Sequence, residues 1–259
     1  MNLNPLRGLV AAVALLTLSM APVVHADEAP ATNSAPSKSA STPADEGWYA
    51  GLSTGVSLPS GLPNRNFAVY TPAVNFSASQ GYGLGNGLSV AGQVGYQLKD
   101  FRLEGEFLYQ NMTRSATNVS VTPLGLGTAS SSYASANVDT YSGFINGYYD
   151  FNRDKKWSPY IGVGVGLTNI DTSQAVRSLP VTLETPGVNT TVFAYQAKLG
   201  LSYNVDPKTA LFLQYRYMGT AGFNYGGARV TAGGQVYNVP GISNSLSNSS
   251  FELGGRFRF

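Results

Sequence analysis

Glu104 and Glu106 stand two positions apart in Asp100-Phe101-Arg102-Leu103-Glu104-Gly105-Glu106. In an extended chain that spacing turns both carboxyls to one side. Two carboxyls on one face are the equipment of glycoside hydrolysis, one as acid and the other as base or nucleophile. Facing cations instead, they form an ion network and do no chemistry. The rest of the inventory is thin. The chain has no cysteine and one histidine, His25. Nucleophilic triads and most transition-metal sites draw on one or the other. Gly162-Val163-Gly164-Val165-Gly166 has the wrong spacing for a phosphate-binding loop, and no helix follows it to receive an anion. It reads as small residues making room on one strand face. Gly81–Gly87 reads as a flexible loop end. No basic stretch interleaved with aromatics marks a nucleic-acid surface. The sequence therefore predicts no catalytic residue, no metal, no cofactor and no enzyme.

The elements that must carry these side chains are strands. Alternating apolar and polar residues recur over roughly 47–57, 86–98, 101–113, 136–151, 158–170, 191–205, 209–223 and 248–259. Lys99-Asp100, Asn152–Trp157 and Asp206-Pro207-Lys208 join them as tight, charged turns. Long polar stretches near 58–85, 114–135, 171–190 and 224–247 lie between. Short turns at one end and long loops at the other predict an eight-stranded, antiparallel, up-and-down barrel, with turns in the periplasm and loops outside.

The N-terminus reads as an address. Arg7 is followed by an apolar run from Leu9 to Met20 and by Val24-His25-Ala26, which together make residues 1–26 a cleaved signal peptide. The apolar run is too short for a spanning helix. Residues 27–46 are rich in Ala, Pro, Ser and Thr without periodicity and read as a disordered linker. The barrel is expected over 47–259. An exported chain without cysteine draws its stability from burial and backbone pairing rather than disulfides.

Either a soluble β-sandwich or barrel with its apolar face inside, or a membrane barrel with that face on lipid, would satisfy the alternation. Three features favour lipid. Trp48, Phe101, Tyr109, Tyr149, Phe151, Trp157, Tyr203, Tyr217 and Phe259 fall towards strand ends, as interfacial girdles do. The polar faces carry ions in mid-strand but lack the charge density of a wet surface, since charged residues are 12% of the chain. Glycines on those faces suit a crowded interior. Eight strands enclose just enough room for side chains. Arg102, Glu104, Glu106, Lys198, Arg216, Glu252, Arg256 and Arg258 are expected inside. Enclosed charges must pair, so a network of Glu104 and Glu106 with Lys198, Arg216 and Arg256 is predicted.

The run Asn146-Gly147-Tyr148-Tyr149-Asp150-Phe151, then Trp157 to Gly166, resembles the central hairpin of opacity-type and surface-antigen outer-membrane barrels. Asp100–Glu106 and Leu211–Tyr217 resemble their third and seventh strands, and Phe251–Phe259 resembles their closing strand. OmpA-type and OmpW-type barrels belong to the same superfamily. The resemblance implies residence in the outer membrane of a Gram-negative bacterium, among lipid and lipopolysaccharide. It implies that Phe259, with Phe257, is read by the barrel-assembly machinery. It implies a structural or surface-display role, as adhesin or surface antigen, with a host or surface ligand engaged through the loops. A narrow porin-like channel is the alternative, supported by the polar interior.

Overall fold

The structure, a computed structural model, describes residues 46–259 apart from 61, 71–74, 83, 115–116, 124–128, 134–136, 173–174, 179–181, 226 and 233–234. The expected signal peptide and all of the expected linker except Glu46 lie outside the described residues; Glu46 itself opens the first strand. Eight strands close a barrel, numbered here in chain order: β1 (Glu46–Pro59), β2 (Leu84–Leu98), β3 (Phe101–Arg114), β4 (Asn137–Asp150), β5 (Trp157–Thr172), β6 (Val188–Asn204), β7 (Thr209–Thr220) and β8 (Ser247–Arg258). Each pairs antiparallel with its neighbours in sequence, and β8 returns to β1 with Tyr49 opposite Arg258 and Val56 opposite Phe251. Closure leaves no sheet edge in the barrel wall, which a hydrocarbon environment requires.

The alternation sets the faces. Val163 is 69% exposed and Ile145 65%, whereas Arg216 and Leu108 are sealed inside. On β5 the outward run Trp157, Ile161, Val163, Val165 and Leu167 is apolar until Asn169. Ten residue steps of about 3.3 Å on a strand tilted by roughly 40° rise about 25 Å, the height of an outer-membrane hydrocarbon belt. Aromatics ring the turn end. Trp48 packs edge-on to Tyr96 (5.4 Å between centroids), Phe101 to Tyr149 (5.1 Å), Tyr149 to Phe151 (4.8 Å), and Trp157 leans on Tyr203 (4.8 Å).

Two turns need a residue in the left-handed region, and Lys99 (φ 47°) and Asn152 (φ 52°) occupy it. In the β6–β7 turn the Asp206 carboxylate accepts the backbone N–H groups of Lys208 (2.7 Å) and Thr209 (2.9 Å). The Lys208 amide in particular holds that carboxyl below its usual range.

The long connections depart from expectation. They carry strands of their own. Leu62–Tyr70 and Asn75–Tyr82 form a hairpin in the first loop, and Thr117–Pro123 and Ala129–Tyr133 form one in the second. Asn75–Tyr82 pairs with Thr117–Pro123, so two loops make one four-stranded sheet. Ala175–Ser178 and Thr182–Thr185 of the third loop join Ala228–Ala232 and Gln235–Val239 of the fourth in a second. Gly81–Gly87, expected as a loop end, spans a strand on either side of residue 83. The seventh strand, expected to reach 223, stops at Thr220, and Phe223–Tyr225 pairs instead with Ile242–Asn244.

Candidate functional site

The interior is stacked in layers, and the inward residues of β3 name them from turn end to loop end: Arg102, Glu104, Glu106, Leu108, Gln110, Met112. Alternation puts all six on one side of the strand.

The middle layer is ionic. Arg216 reaches Glu106 through Nη1 (2.6 Å) and Nη2 (3.1 Å), and Nη2 also bonds Glu252 at 2.8 Å. Lys198 donates to the other flank of Glu106 and to Tyr148 Oη at 2.8 Å. Gln196 accepts from Arg216 Nη1 (2.8 Å) and donates to Glu106 (3.0 Å) and Asn146 (2.7 Å). Glu104 is held differently. The hydroxyls of Tyr148 (2.7 Å) and Tyr49 (2.8 Å) and the Asn146 amide (3.2 Å) donate to it, with Lys198 at 3.9 Å. Glu252 also accepts from Gln214 (2.6 Å) and Ser250 (3.0 Å). Every carboxylate here is bonded to several donors, the condition for burying one.

Of the residues singled out in the sequence, Glu104, Glu106, Lys198 and Arg216 thus meet in one ionic cluster that spans two layers. Arg256 does not join it. No carboxylate lies within ion-pairing distance of Arg256 among the described residues; it bonds the Ser202 hydroxyl and stacks on Phe212 (5.0 Å) and Tyr160 (5.3 Å). The reason is register. Arg256 lies opposite Ala210, two inward positions nearer the turns than Glu252, which lies opposite Gln214 beside Arg216. Asp150 was not singled out, yet it takes Arg102 Nε at 2.8 Å and Gln97 at 3.1 Å. Counting from Tyr148 along β4, the alternation already turns Asp150 inward. Phe257 and Phe259 face outward at the turn end, and the Phe259 N–H donates to Trp48 O at 3.1 Å.

The glycines of β5 make room for this packing. A Cβ on Gly162 would stand 2.2 Å from the Tyr148 ring and one on Gly164 1.9 Å from Asn146 Oδ1. Two of the side chains that hold Glu104, Tyr148 and Asn146, therefore occupy the space those glycines leave.

Above the ions, apolar clusters sit among buried polar side chains such as Ser57, Gln110, Thr140, Ser142 and Thr168. Ala91, Leu108, Phe144, Ala194 and Met218 form one cluster. At the loop end Met112, Val138 and Ile170 pack with Phe223, Tyr225 and Leu246 from the fourth loop, flanked by Leu84, Val188, Val192 and Ile242. The short hairpin of Phe223–Tyr225 and Ile242–Asn244 is thus a lid with its apolar side chains turned into the barrel mouth. Among the described residues no group of three His, Cys, Asp or Glu could hold a metal ion.

A family model described as surface antigen matches residues 64–259. Over 80 residues the chain is 34% identical to outer membrane protein PagN of Salmonella typhimurium, covering 29% of this chain and 31% of that protein. It is 25% identical over 188 residues to major surface antigen 4 of Anaplasma marginale, 66% of this chain and 61% of that one. The chain thus spans about a third and about three fifths of the length of these two relatives. Among solved structures, Neisserial surface protein A superposes with a TM-score of 0.45 at 17% identity, over 82% of this chain and 97% of that chain.

Proposed function

Because the chain belongs to the surface antigen family and lies in the bacterial outer membrane, we propose that it is a non-enzymatic, non-conducting barrel that displays folded loop sheets outside the cell. The observation that carries this reading is the interior. Two closures stand in series, the bonded ions around Glu106 and Arg216 and the apolar lid around Met112 and Phe223. An ion crossing the barrel would have to displace both, and the apolar one offers nothing to replace its water. The same bonds leave Glu104 and Glu106 without access to a substrate. The loops fit display. They are rich in Ser, Asn and Gly, residues that supply adaptable hydrogen bonding in binding loops. A closed barrel holds them on a rigid base, and pairing between loops gives each sheet a fixed shape.

Planar-bilayer recording tests the reading. The wild-type chain is expected to be electrically silent. Steady single-channel steps would favour a narrow pore over display.

Assembly in this membrane adds a second expectation. We propose that Phe259 and Phe257 form the signal read by the barrel-assembly machinery. Their outward position at the turn end leaves both rings free for a partner. Deleting Phe259 is expected to lower the heat-modifiable, folded fraction recovered from outer membranes. An unchanged fraction would remove that role.

A further inference from the structure

Among the described residues, the interior of the barrel's turn end holds more guanidinium groups than carboxylates that pair with them. Arg102 and Arg256 are both buried, and both lie over one ring, with guanidinium carbons 4.8 and 5.3 Å from the Tyr160 centroid. Arg102 also stands 4.3 Å over Tyr148. Arg258 follows two residues after Arg256 on the same side of β8 and is half-buried. Its Nη1 makes one long bond, 3.5 Å, to Pro207 O.

Asp150 is the carboxylate that faces this group, and Arg102 and Gln97 already occupy it. Glu104, one layer further in, is taken by Tyr49, Tyr148 and Asn146. The other charges at this end lie on exposed turns and carry both signs. Two buried guanidinium nitrogens, Arg102 Nη2 and Arg256 Nε, have no hydrogen-bond partner among the described residues. A buried cation without an anion costs several kcal/mol, and a buried N–H without an acceptor adds to that.

We propose that the turn-side mouth is a binding site for a small oxyanion, a phosphate or a carboxylate, held by Arg256 and Arg258 with Arg102 behind them. Guanidinium forks match two oxygens of such a group. The aromatic floor of Tyr160 and Phe212 fixes the Arg256 fork before the anion arrives, so less ordering is left to do. The site is independent of the display reading, since it lies at the opposite end from the loops. Its phosphate could be free in solution or carried on a lipid headgroup.

The test uses the full chain folded in zwitterionic detergent, with the heat-modifiability midpoint as readout. Inorganic phosphate is titrated against chloride at constant ionic strength. A saturable rise of a few degrees is expected for a ligand that binds the folded state alone. Arg258→Gln, a half-buried position outside the ionic layer, is expected to lose that rise. Arg256→Gln is a second arm where it folds. In a parallel arm the micelles carry phosphatidylglycerol without free phosphate. A rise in that arm alone assigns the headgroup as the source, and a rise with free phosphate alone assigns the soluble anion. No rise in either arm, or an equal rise in Arg258→Gln, would overturn the site.

Discussion

Arg216→Met is expected to lower the unfolding free energy by about 3–5 kcal/mol, read as a shift of the urea midpoint in lipid vesicles. The size follows from what the change leaves behind. Arg216 is sealed from solvent and bonds Glu106 twice and Glu252 once. Without it Glu106 keeps Lys198, but Glu252 keeps neutral donors alone, Gln214 and Ser250 foremost. An anion is then buried with no cation beside it. Lys198→Met is expected to cost less, because Arg216 still serves Glu106. The pairing itself is isolated by adding Glu252→Gln to Arg216→Met. If the lost bond is what matters, the second change removes the orphaned charge and restores part of the stability, giving a coupling of about 0.5–3 kcal/mol. A single Arg216→Met variant within about 1 kcal/mol of wild type would mean that the ionic layer is slack.

How far this layer was legible depends on which quantity fixed each member. Facing is local, and period-two alternation placed Glu104, Glu106, Lys198 and Arg216 on one side of their strands before any coordinates. Height along the barrel is not local. It depends on the stagger between paired strands, which is why Glu252 reaches Arg216 and Arg256 falls two inward positions short. Asp150 was missed for a different reason. It falls inside the expected strand 136–151 and the alternation from Tyr148 turned it inward, but its partner Arg102 was fixed only by the pairing of β3 with β4, which sets Arg102 opposite Tyr148.

The loops show the converse failure. Val119 and Val121 in Thr117–Pro123 alternate with Ser and Thr, and Ala228–Ala232 keeps Val230 between polar neighbours. That is strand patterning, but the abundance of Ser, Asn and Gly outweighed it. The pairing of one loop with the next joins segments distant in sequence, and no local signal announces it. The lid was hidden in the same way. Phe223 and Tyr225 extend the pattern of β7 so smoothly that the strand was expected to run on to 223.

Phe223→Ala is expected to loosen that lid far more than it weakens the barrel. Phe223 packs with Tyr225 at 5.8 Å between centroids and joins Met112, Val138, Ile170 and Leu246 in one cluster. Truncating a buried phenylalanine costs about 3–5 kcal/mol. The barrel ladder does not pass through the Phe223–Tyr225 hairpin, so the loss falls on local opening and leaves the global midpoint nearly in place. A chain without cysteine allows this to be measured with one introduced thiol. Ser142 lies one inward position below Thr140 and two below Val138 on β4's interior face, between the lid and the ions, buried, with its hydroxyl 2.6 Å from that of Thr168. In a Ser142→Cys background, thiol labelling tracks the open population when closing outpaces reaction. At about 1.4 kcal/mol per decade, Phe223→Ala should then speed labelling by roughly two to three and a half decades. Conductance should stay silent, because the Glu106–Arg216 layer beneath is untouched. A change in labelling of less than about tenfold would show that the lid does not seal the mouth. Current through Phe223→Ala alone would show that the ions beneath it do not.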